Sequence, residues 1–296
     1  MGFTLNGKTT KARNDTKMEQ KLVPYLIVIA CIIAIIILLI IRNIITNKVE
    51  IRKIEIGNGQ TIGRREEQDD YFSSAESDNG TIAVLADGIS GLANGRMAST
   101  VAVTTFIQEF LKLNRLENIE SFFKKAAVLS NSTIVQNLNG SNGGTTLVAA
   151  VIDEQGYLHW GAAGDSIISI YRNGEFIAVN QKHIFESVLK EKYVSGEITK
   201  LEVQENPLKK RLVNYLGYEG FKKIDTGNKA IKLHKGDRVC LFSDGVYDSL
   251  TEVEMERIFS QHSPPYDIAQ NIIKAVEQKR LKNQDNATIV ILEKKW

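Results

Sequence analysis

The chain has 296 residues, of which 43% are hydrophobic, and its formal net charge is +2. This small net charge argues against a broad nucleic-acid-binding face. The two cysteines, Cys31 in an apolar run and Cys240 in a predicted buried strand, indicate no disulfide framework. The histidines lie too far apart for a zinc site, at positions 159, 183, 234 and 262.

The N-terminal part of the chain is predicted to contain a membrane anchor. Residues 22–41 form an uncharged apolar run, long enough as a helix to span the roughly 30 Å core of a bilayer. A cleaved signal peptide is the alternative, but its apolar core is normally about 7–15 residues long. We therefore predict a transmembrane helix at 22–42, between a flexible polar tail at 1–21 and a linker at 43–51. Flanking basic residues leave the orientation open, and the lack of disulfides favours a cytoplasmic C-terminal domain.

The remaining residues, 52–296, are predicted to form one large domain that contains both strands and helices. A strand is predicted at 50–56 and another at 81–86, followed by amphipathic helices at 94–113 and 119–138. Tight turns then separate strands, which indicates antiparallel pairing, at 145–153, 157–163, 167–171 and 176–179. The polar, less regular residues 181–220 are interpreted as a flap. The last predicted elements are strands at 229–233 and 238–242, helices at 251–259 and 266–279, and a final strand from 287.

Three aspartates lie at the ends of predicted strands that are far apart in sequence. Asp87 and Asp244 each follow an apolar run and precede a glycine, and Asp285 precedes the final strand. A fold can bring such side chains to one edge of a sheet, and hard divalent cations prefer carboxylate oxygens. Arg65 and the pair Asp69-Asp70 would by themselves be a solvated charged turn. In this context they indicate a phosphate-binding arginine beside metal ligands.

Six short motifs support this reading: Arg65-x-x-Gln-Asp-Asp70, Ala86-Asp-Gly-x-x-Gly91, Gly144-Thr-Thr146, Gly164-Asp-Ser166, Ser243-Asp-Gly245 and Asp285-Asn-x-Thr288. Together they resemble the metal-dependent (PPM, type 2C) protein serine/threonine phosphatases, in particular the bacterial branch, over about residues 52–296. The resemblance implies an α+β fold, a four-layer α-β-β-α sandwich of two antiparallel sheets flanked by helices, here preceded by the transmembrane helix. It also implies hydrolysis of phosphoserine and phosphothreonine by a water that bridges two Mn²⁺ or Mg²⁺ ions.

The resemblance also assigns the ion ligands. Asp87 would bridge both ions, and the carbonyl of Gly88 would bind the second one. Asp244 and Asp285 would hold the first ion. Asp69 lies where the family usually has a glutamate on the second ion, so the shorter side chain predicts binding through water or weaker binding.

Three further roles follow from the resemblance. Asp70 would hold a metal-bound water, and Arg65 would grip two phosphate oxygens. Asp165, together with Asp244, matches the position of a third, weaker ion in bacterial members, although it could simply cap a turn. The catalytic residues implied in this way are Arg65, Asp87 and Asp244.

The chain departs from the family pattern at several positions. Ile89 replaces a histidine found in some eukaryotic relatives, so solvent or a metal-bound water is the expected acid. Ile167 replaces an arginine after Gly-Asp-Ser. Lys182-His183 occurs where the family often has Asp-His, and we interpret His183 as a structural residue.

Three functions compete at this point. The first is an active membrane-anchored protein phosphatase, opposed to a serine/threonine kinase and facing the cytoplasm. The second is a pseudophosphatase that keeps the fold and acts as a membrane-tethered binding module. Retention of the core aspartates argues against it, because buried like charges are costly without cations. The third is a phosphatase of small phosphoesters.

Overall fold

The structure is a computed structural model that describes residues 25, 28–42, 54–89, 94–114 and 118–295. The chain divides into two compact units, Met1–Arg52 and Lys53–Trp296. In the first unit residues 28–42 are helical, with exposed apolar side chains. None of the helices in the described ranges is long and apolar enough to cross a membrane. The predicted tail at 1–21, the linker at 43–51 and residues 22–24, 26 and 27 of the predicted span lie outside the described residues.

The second unit is built on two sheets in which every strand pairing is antiparallel. The first sheet has the strand order β1 (Ile54–Thr61), β11 (Ala287–Lys294), β10 (Arg238–Phe242), β6 (Ile167–Arg172) and β7 (Glu175–Ala178). The second has the order β2 (Tyr71–Ser77), β3 (Gly80–Ala86), β4 (Leu147–Ile152), β5 (Tyr157–Ala163) and β8 (Asp225–Thr226), and β5 also pairs with β9 (Ile231–Lys232).

Helices cover the outer face of each sheet. Against the second sheet pack α1 (Gly95–Leu111) and α2 (Ile119–Leu138). Against the first sheet pack α5 (Asp244–Tyr247), α6 (Glu252–Phe259) and α7 (Pro265–Gln278). The flap contributes two short helices, α3 (Phe185–Val194) and α4 (Lys200–Glu205). The predicted four-layer α-β-β-α arrangement of two antiparallel sheets is therefore confirmed.

Three layers of buried apolar side chains hold the sandwich together. The layer between the sheets contains Leu85, Val148 and Leu292, contributed by β3, β4 and β11. The outer layers are dominated by Phe106 under α1 and by Phe259 at the end of α6. Strands buried on both faces read as continuous apolar runs, as β4 and β11 do, and this is why the sequence marks them clearly.

The first strand differs from its prediction. Residues 50–53 of the strand expected at 50–56 lie outside the described residues, and β1 runs from Ile54 past the expected end to Thr61, through two glycines. A Cβ on Gly57 would lie 2.1 Å from the carbonyl carbon of Pro265, and one on Gly59 would lie 2.8 Å from the Ala269 oxygen. The glycines therefore let α7 lie directly on the strand, and they do not end it.

Two strands and the character of the flap were also missed. Neither β2 nor β8 was predicted, because β2 is a polar edge strand and β8 has only two residues. The flap was expected to be irregular but contains α3 and α4, the latter with a capping box between Thr199 and Glu202. Its base is closed by backbone hydrogen bonds from Phe185 to Arg211 and from Val213 to His183.

Candidate active site

The predicted carboxylates meet at one end of the sandwich. Asp87 directly follows β3, Asp165 lies between β5 and β6, Asp244 follows β10, and Asp285 lies two residues before β11. Antiparallel register brings these strand ends together, since Phe242 of β10 pairs with both Ile167 and Ile289. All four aspartates line one cleft of about 720 Å³.

Asp70 lies behind this cleft and is almost completely buried. Its Oδ2 accepts hydrogen bonds from the hydroxyls of Ser243 (2.8 Å) and Thr288 (2.7 Å). Its Oδ1 is buried without a hydrogen-bond donor. The motif residues Ser243 and Thr288 therefore position Asp70, a role that sequence reasoning did not assign although both motifs were recognised.

The backbone of Asp87 is fixed from the neighbouring strand. Its carbonyl accepts hydrogen bonds from the Thr145 hydroxyl and the Thr146 amide, both at 2.8 Å, and its amide donates to the Thr146 hydroxyl at 3.1 Å. The Thr146 hydroxyl also bonds Ser166 at 2.7 Å. The two threonines of the Gly144-Thr-Thr146 motif therefore fix the backbone from which the Asp87 carboxylate projects.

Asp244 and Asp285 are brought together by a close contact between their loops. A Cβ on Gly245 would lie 1.9 Å from the carbonyl oxygen of Asn286, so only glycine allows this approach. Asp285 in turn pairs with Arg65, whose Nη2 lies 2.6 Å from Oδ2. The predicted phosphate-binding arginine thus lies at the edge of the carboxylate cluster, where it contacts one of the predicted ion ligands.

Asp69 and Gly88 lie on the α1 side of the site. The Gly88 amide donates to the Asp69 carbonyl at 3.2 Å, and the Asp69 amide donates to Asn286 Oδ1 at 2.7 Å. The Asp69 carboxylate accepts a hydrogen bond from the Arg96 amide in the first turn of α1, and burial raises its pKa. Gly91, the last residue of its motif, lies outside the described residues.

The cluster is electrostatically unfavourable as a set of anions. Burial, followed by repulsion from other aspartates with Asp70 first among them, raises the pKa of Asp87 well above its ordinary value. Burial and repulsion from Asp165 raise the pKa of Asp244 to about 7. Burial raises the pKa of Asp70 to about 6, although the hydroxyls of Thr288 and Ser243 oppose this rise. A bound cation would remove the repulsion.

The side chains present fit hard divalent cations in kind. They offer carboxylate oxygens, and the buried Asp70 Oδ1 has an unused lone pair. Within the described ranges, however, no three His, Cys, Asp or Glu side chains are close enough to form a ready-made site for one ion. The ion pair with Arg65 also engages the Asp285 carboxylate. Binding of an ion at Asp87, Asp244 and Asp285 would therefore require small side-chain movements.

Lys182 lies beside the predicted third-ion position. Its ammonium is 3.4 Å from the centroid of the Tyr247 ring, and the Tyr247 hydroxyl donates to the Asp165 carbonyl at 3.1 Å. Burial raises the pKa of Asp165, and the charge of Lys182 opposes that rise. In the sequence Lys182 is only a departure from the family pattern, and its proximity to the Asp165 loop is visible only in the structure.

The wall of the cleft facing the aspartates comes from the flap. It includes Phe185, Arg211 and the stacked rings of Tyr215 and Tyr218, whose centroids are 5.4 Å apart. A surface that combines a cation with aromatic rings suits an anionic, partly apolar ligand.

His183 links the flap to the domain from outside this wall. Its Nδ1 accepts hydrogen bonds from the Gly164 amide and the Asn214 side chain, and its Nε2 lies 2.8 Å from Asp225. This geometry fits the structural role interpreted for it.

Comparison with known proteins places these motifs in a family. The family model for protein phosphatase 2C matches residues 59–284. The chain belongs to this family. A serine/threonine phosphatase named stp from Listeria monocytogenes is 29% identical over 240 residues, covering 78% of this chain and 91% of that protein.

Solved structures of protein phosphatase 2C type share the fold. The S. agalactiae serine/threonine phosphatase superposes with a TM-score of 0.71 at 24% identity, covering 81% of this chain and 99% of that one. The catalytic domain of the phosphatase PstP, solved in complex with two manganese ions, gives a TM-score of 0.63 at 21% identity, covering 81% and 97%. At these identities the likeness shows the protein phosphatase 2C fold.

Proposed function

We propose that this chain is a Mn²⁺- or Mg²⁺-dependent protein phosphatase that hydrolyses phosphoserine and phosphothreonine. The observation that carries the proposal is the cleft lined by Asp87, Asp165, Asp244 and Asp285 in a member of the protein phosphatase 2C family. The name of the Listeria relative and the two manganese ions in the PstP structure support it. Two divalent ions would supply activation of the attacking water and neutralise the charge of the phosphate.

The residues of the chain would divide the work in the following way. Asp87, Asp244 and Asp285 would hold the ions through carboxylate oxygens, and Asp69 would contribute from the α1 side. Arg65 carries a planar fork of donors that matches a phosphate, so it would leave Asp285 and bind two phosphate oxygens. The exchange is small because the guanidinium already lies at the edge of the cluster and is partly exposed.

The open cleft favours a protein substrate over a small phosphoester. Its flap wall would offer Arg211 and the Tyr215–Tyr218 stack to residues on either side of a phosphorylated side chain. A small phosphoester would leave most of this wall unused. By the same reasoning a serine/threonine kinase would supply the substrate. Comparing kcat/KM for a phosphopeptide and for a small phosphoester tests this point, and equal values would contradict it.

Hydrolysis of a phosphothreonine peptide with Mn²⁺ present tests the reaction itself. The Asp244→Asn variant is expected to lose most activity, whereas Asp78→Asn, in the exposed β2–β3 turn, should keep it. Equal rates for Asp244→Asn and the wild type would contradict the proposal.

The ion pair between Arg65 and Asp285 favours one alternative, a pseudophosphatase that binds phosphoproteins without turnover. Phosphopeptide binding with no ion-dependent hydrolysis would establish that alternative.

We also propose that residues 22–42 anchor the chain in the cell membrane with the phosphatase domain in the cytoplasm. The support is the uncharged apolar run at 22–41 and the basic residue that follows it, Arg42. Membrane fractionation of the full chain and of a chain lacking residues 1–42 would test the anchor. Digestion of the domain by protease added outside intact cells would contradict the cytoplasmic orientation.

A further inference from the structure

The third-ion position implied by the resemblance does not fit a divalent cation in this chain. We propose that the ammonium group of Lys182 supplies the positive charge there, so that the protein binds two divalent ions and not three. The inference rests on the proposed function, because it concerns the same carboxylate cluster. It is specific to this chain, since the family often has an aspartate where Lys182 stands.

The geometry holds the ammonium next to the loop of Asp165 and the helix that begins at Asp244. Lys182 Nζ lies over the ring of Tyr247, 3.4 Å from its centroid. Tyr247 ends α5, the helix that begins at Asp244, and its hydroxyl donates to the Asp165 carbonyl. One aromatic side chain thus connects the lysine to both predicted ligands, and the cation–π contact restrains the ammonium in place.

The backbone holds Lys182 in the same place. The amide of His183 donates to the Gly164 carbonyl at 2.8 Å, so the chain at 182–183 runs beside Gly164-Asp165. The Lys182 carbonyl accepts a hydrogen bond from the Ser187 hydroxyl in the first turn of α3. Lys182 is therefore anchored on both sides, to the Asp165 loop and to the flap.

Lys182 and Lys210 bring two positive charges to the carboxylates around the third-ion position. Burial lowers the pKa of Lys182, and the charges of Asp165, Asp248 and Asp244, in that order, oppose this fall. Asp248 is paired with Lys210 at 2.8 Å. The positive charge of Lys182 then offsets the negative charge of Asp165, and the Asp244 carboxylate is left to bind the first ion. A divalent cation placed between Asp165 and Asp244 would meet the repulsion of a partly buried ammonium.

Counting bound Mn²⁺ per full-length chain by equilibrium dialysis tests the inference without an activity assay. The wild type is expected to bind two ions at saturation, and Lys182→Asp is expected to bind three. Lys182→Met, which removes the charge without adding a ligand, should bind a third ion more weakly than Lys182→Asp. Lys232→Met is the matched control, because Lys232 also lies over a tyrosine, 4.0 Å from the Tyr157 ring centroid, but away from the cluster. It should bind two.

The possible outcomes separate this inference from the proposed function. Three ions bound to the wild type would overturn the inference while leaving the phosphatase proposal intact. Two ions bound to a Lys182→Asp variant whose thermal unfolding shows it to be folded would also overturn it. No bound ions in the wild type and in all variants would contradict the proposed function, and this inference with it.

Discussion

Replacing Asp244 by asparagine should stabilise the ion-free protein at alkaline pH. The pKa of Asp244 rises from an ordinary value near 3.8 to about 7, mainly because of burial and then because of repulsion from Asp165. The folded state therefore binds a proton more tightly than the unfolded state. The stability that protonation of Asp244 contributes is fully present below pH 4 and is lost as the pH rises towards 7. Asparagine has nearly the same shape and carries no charge, so it avoids this loss.

The size of the effect follows from the pKa difference. Each pKa unit corresponds to about 1.4 kcal/mol, so a difference of about 3 between the folded and unfolded states lowers the free energy of unfolding by about 4 kcal/mol at pH 8. This is an upper value, because Asp244 titrates together with its acidic neighbours and part of the repulsion would pass to them. We therefore expect Asp244→Asn to be more stable than the wild type by about 1–4 kcal/mol at pH 8 in chelator, and by much less at pH 5.

Urea unfolding at the two pH values measures this difference directly. Asp78→Asn, on the exposed turn between β2 and β3, is the control and should change stability little at either pH. Adding Mn²⁺ should reverse the order, because the wild type gains stability from ions that the variant binds poorly. An Asp244→Asn variant less stable than the wild type at pH 8 in chelator, by the same amount as at pH 5, would refute the repulsion argument.

Three further predictions concern neighbouring parts of the site. Thr288→Val removes one of the two hydroxyl donors to the Asp70 carboxylate and one of the two acceptors of the Gln60 amide. The free energy of unfolding in urea should therefore fall by about 1–3 kcal/mol, and an unchanged value would contradict that role. Gly245→Ala places a Cβ 1.9 Å from the carbonyl oxygen of Asn286. The free energy of unfolding, measured by thermal unfolding, should therefore fall by more than about 3 kcal/mol. A smaller fall would mean that the two loops separate easily. Arg211→Ala should raise KM for phosphopeptides with acidic flanking residues and leave kcat nearly unchanged, and a fall in kcat alone would contradict a binding role.

The elements with strong local patterns were predicted closely. The helix at Ile119–Leu138 and the strands at Tyr157–Ala163 and Arg238–Phe242 have the predicted boundaries, because an apolar face repeats along the helix and glycine-containing turns precede both strands. The failures have a common cause. The polar edge strand Tyr71–Ser77 is a strand only because β3 pairs with it, and β1 continues through its glycines only because α7 packs there. Such long-range contacts leave little trace in local sequence.

The candidate site shows the same division. The motifs predict which strand ends meet, since Asp-Gly after an apolar run is a local signal. They do not predict that Ser243 and Thr288 reach Asp70 across more than 170 positions of sequence, or that Arg65 contacts Asp285. Lys182 is the clearest example, because only the packing of its side chain on Tyr247 shows that it lies beside Asp165.

Stability and ion binding are coupled in this fold by the same side chains. The hydroxyls of Ser243 and Thr288 hold the Asp70 carboxylate, and the close contact at Gly245 keeps the loops of Asp244 and Asp285 together, so the backbone that carries these carboxylates is constrained. The free energy stored in their repulsion is available to any cation that enters the cleft, which should make ion affinity depend on the rigidity of these loops. Weakening a loop contact such as that of Thr288 should therefore lower Mn²⁺ affinity even though Thr288 is not itself a predicted ligand.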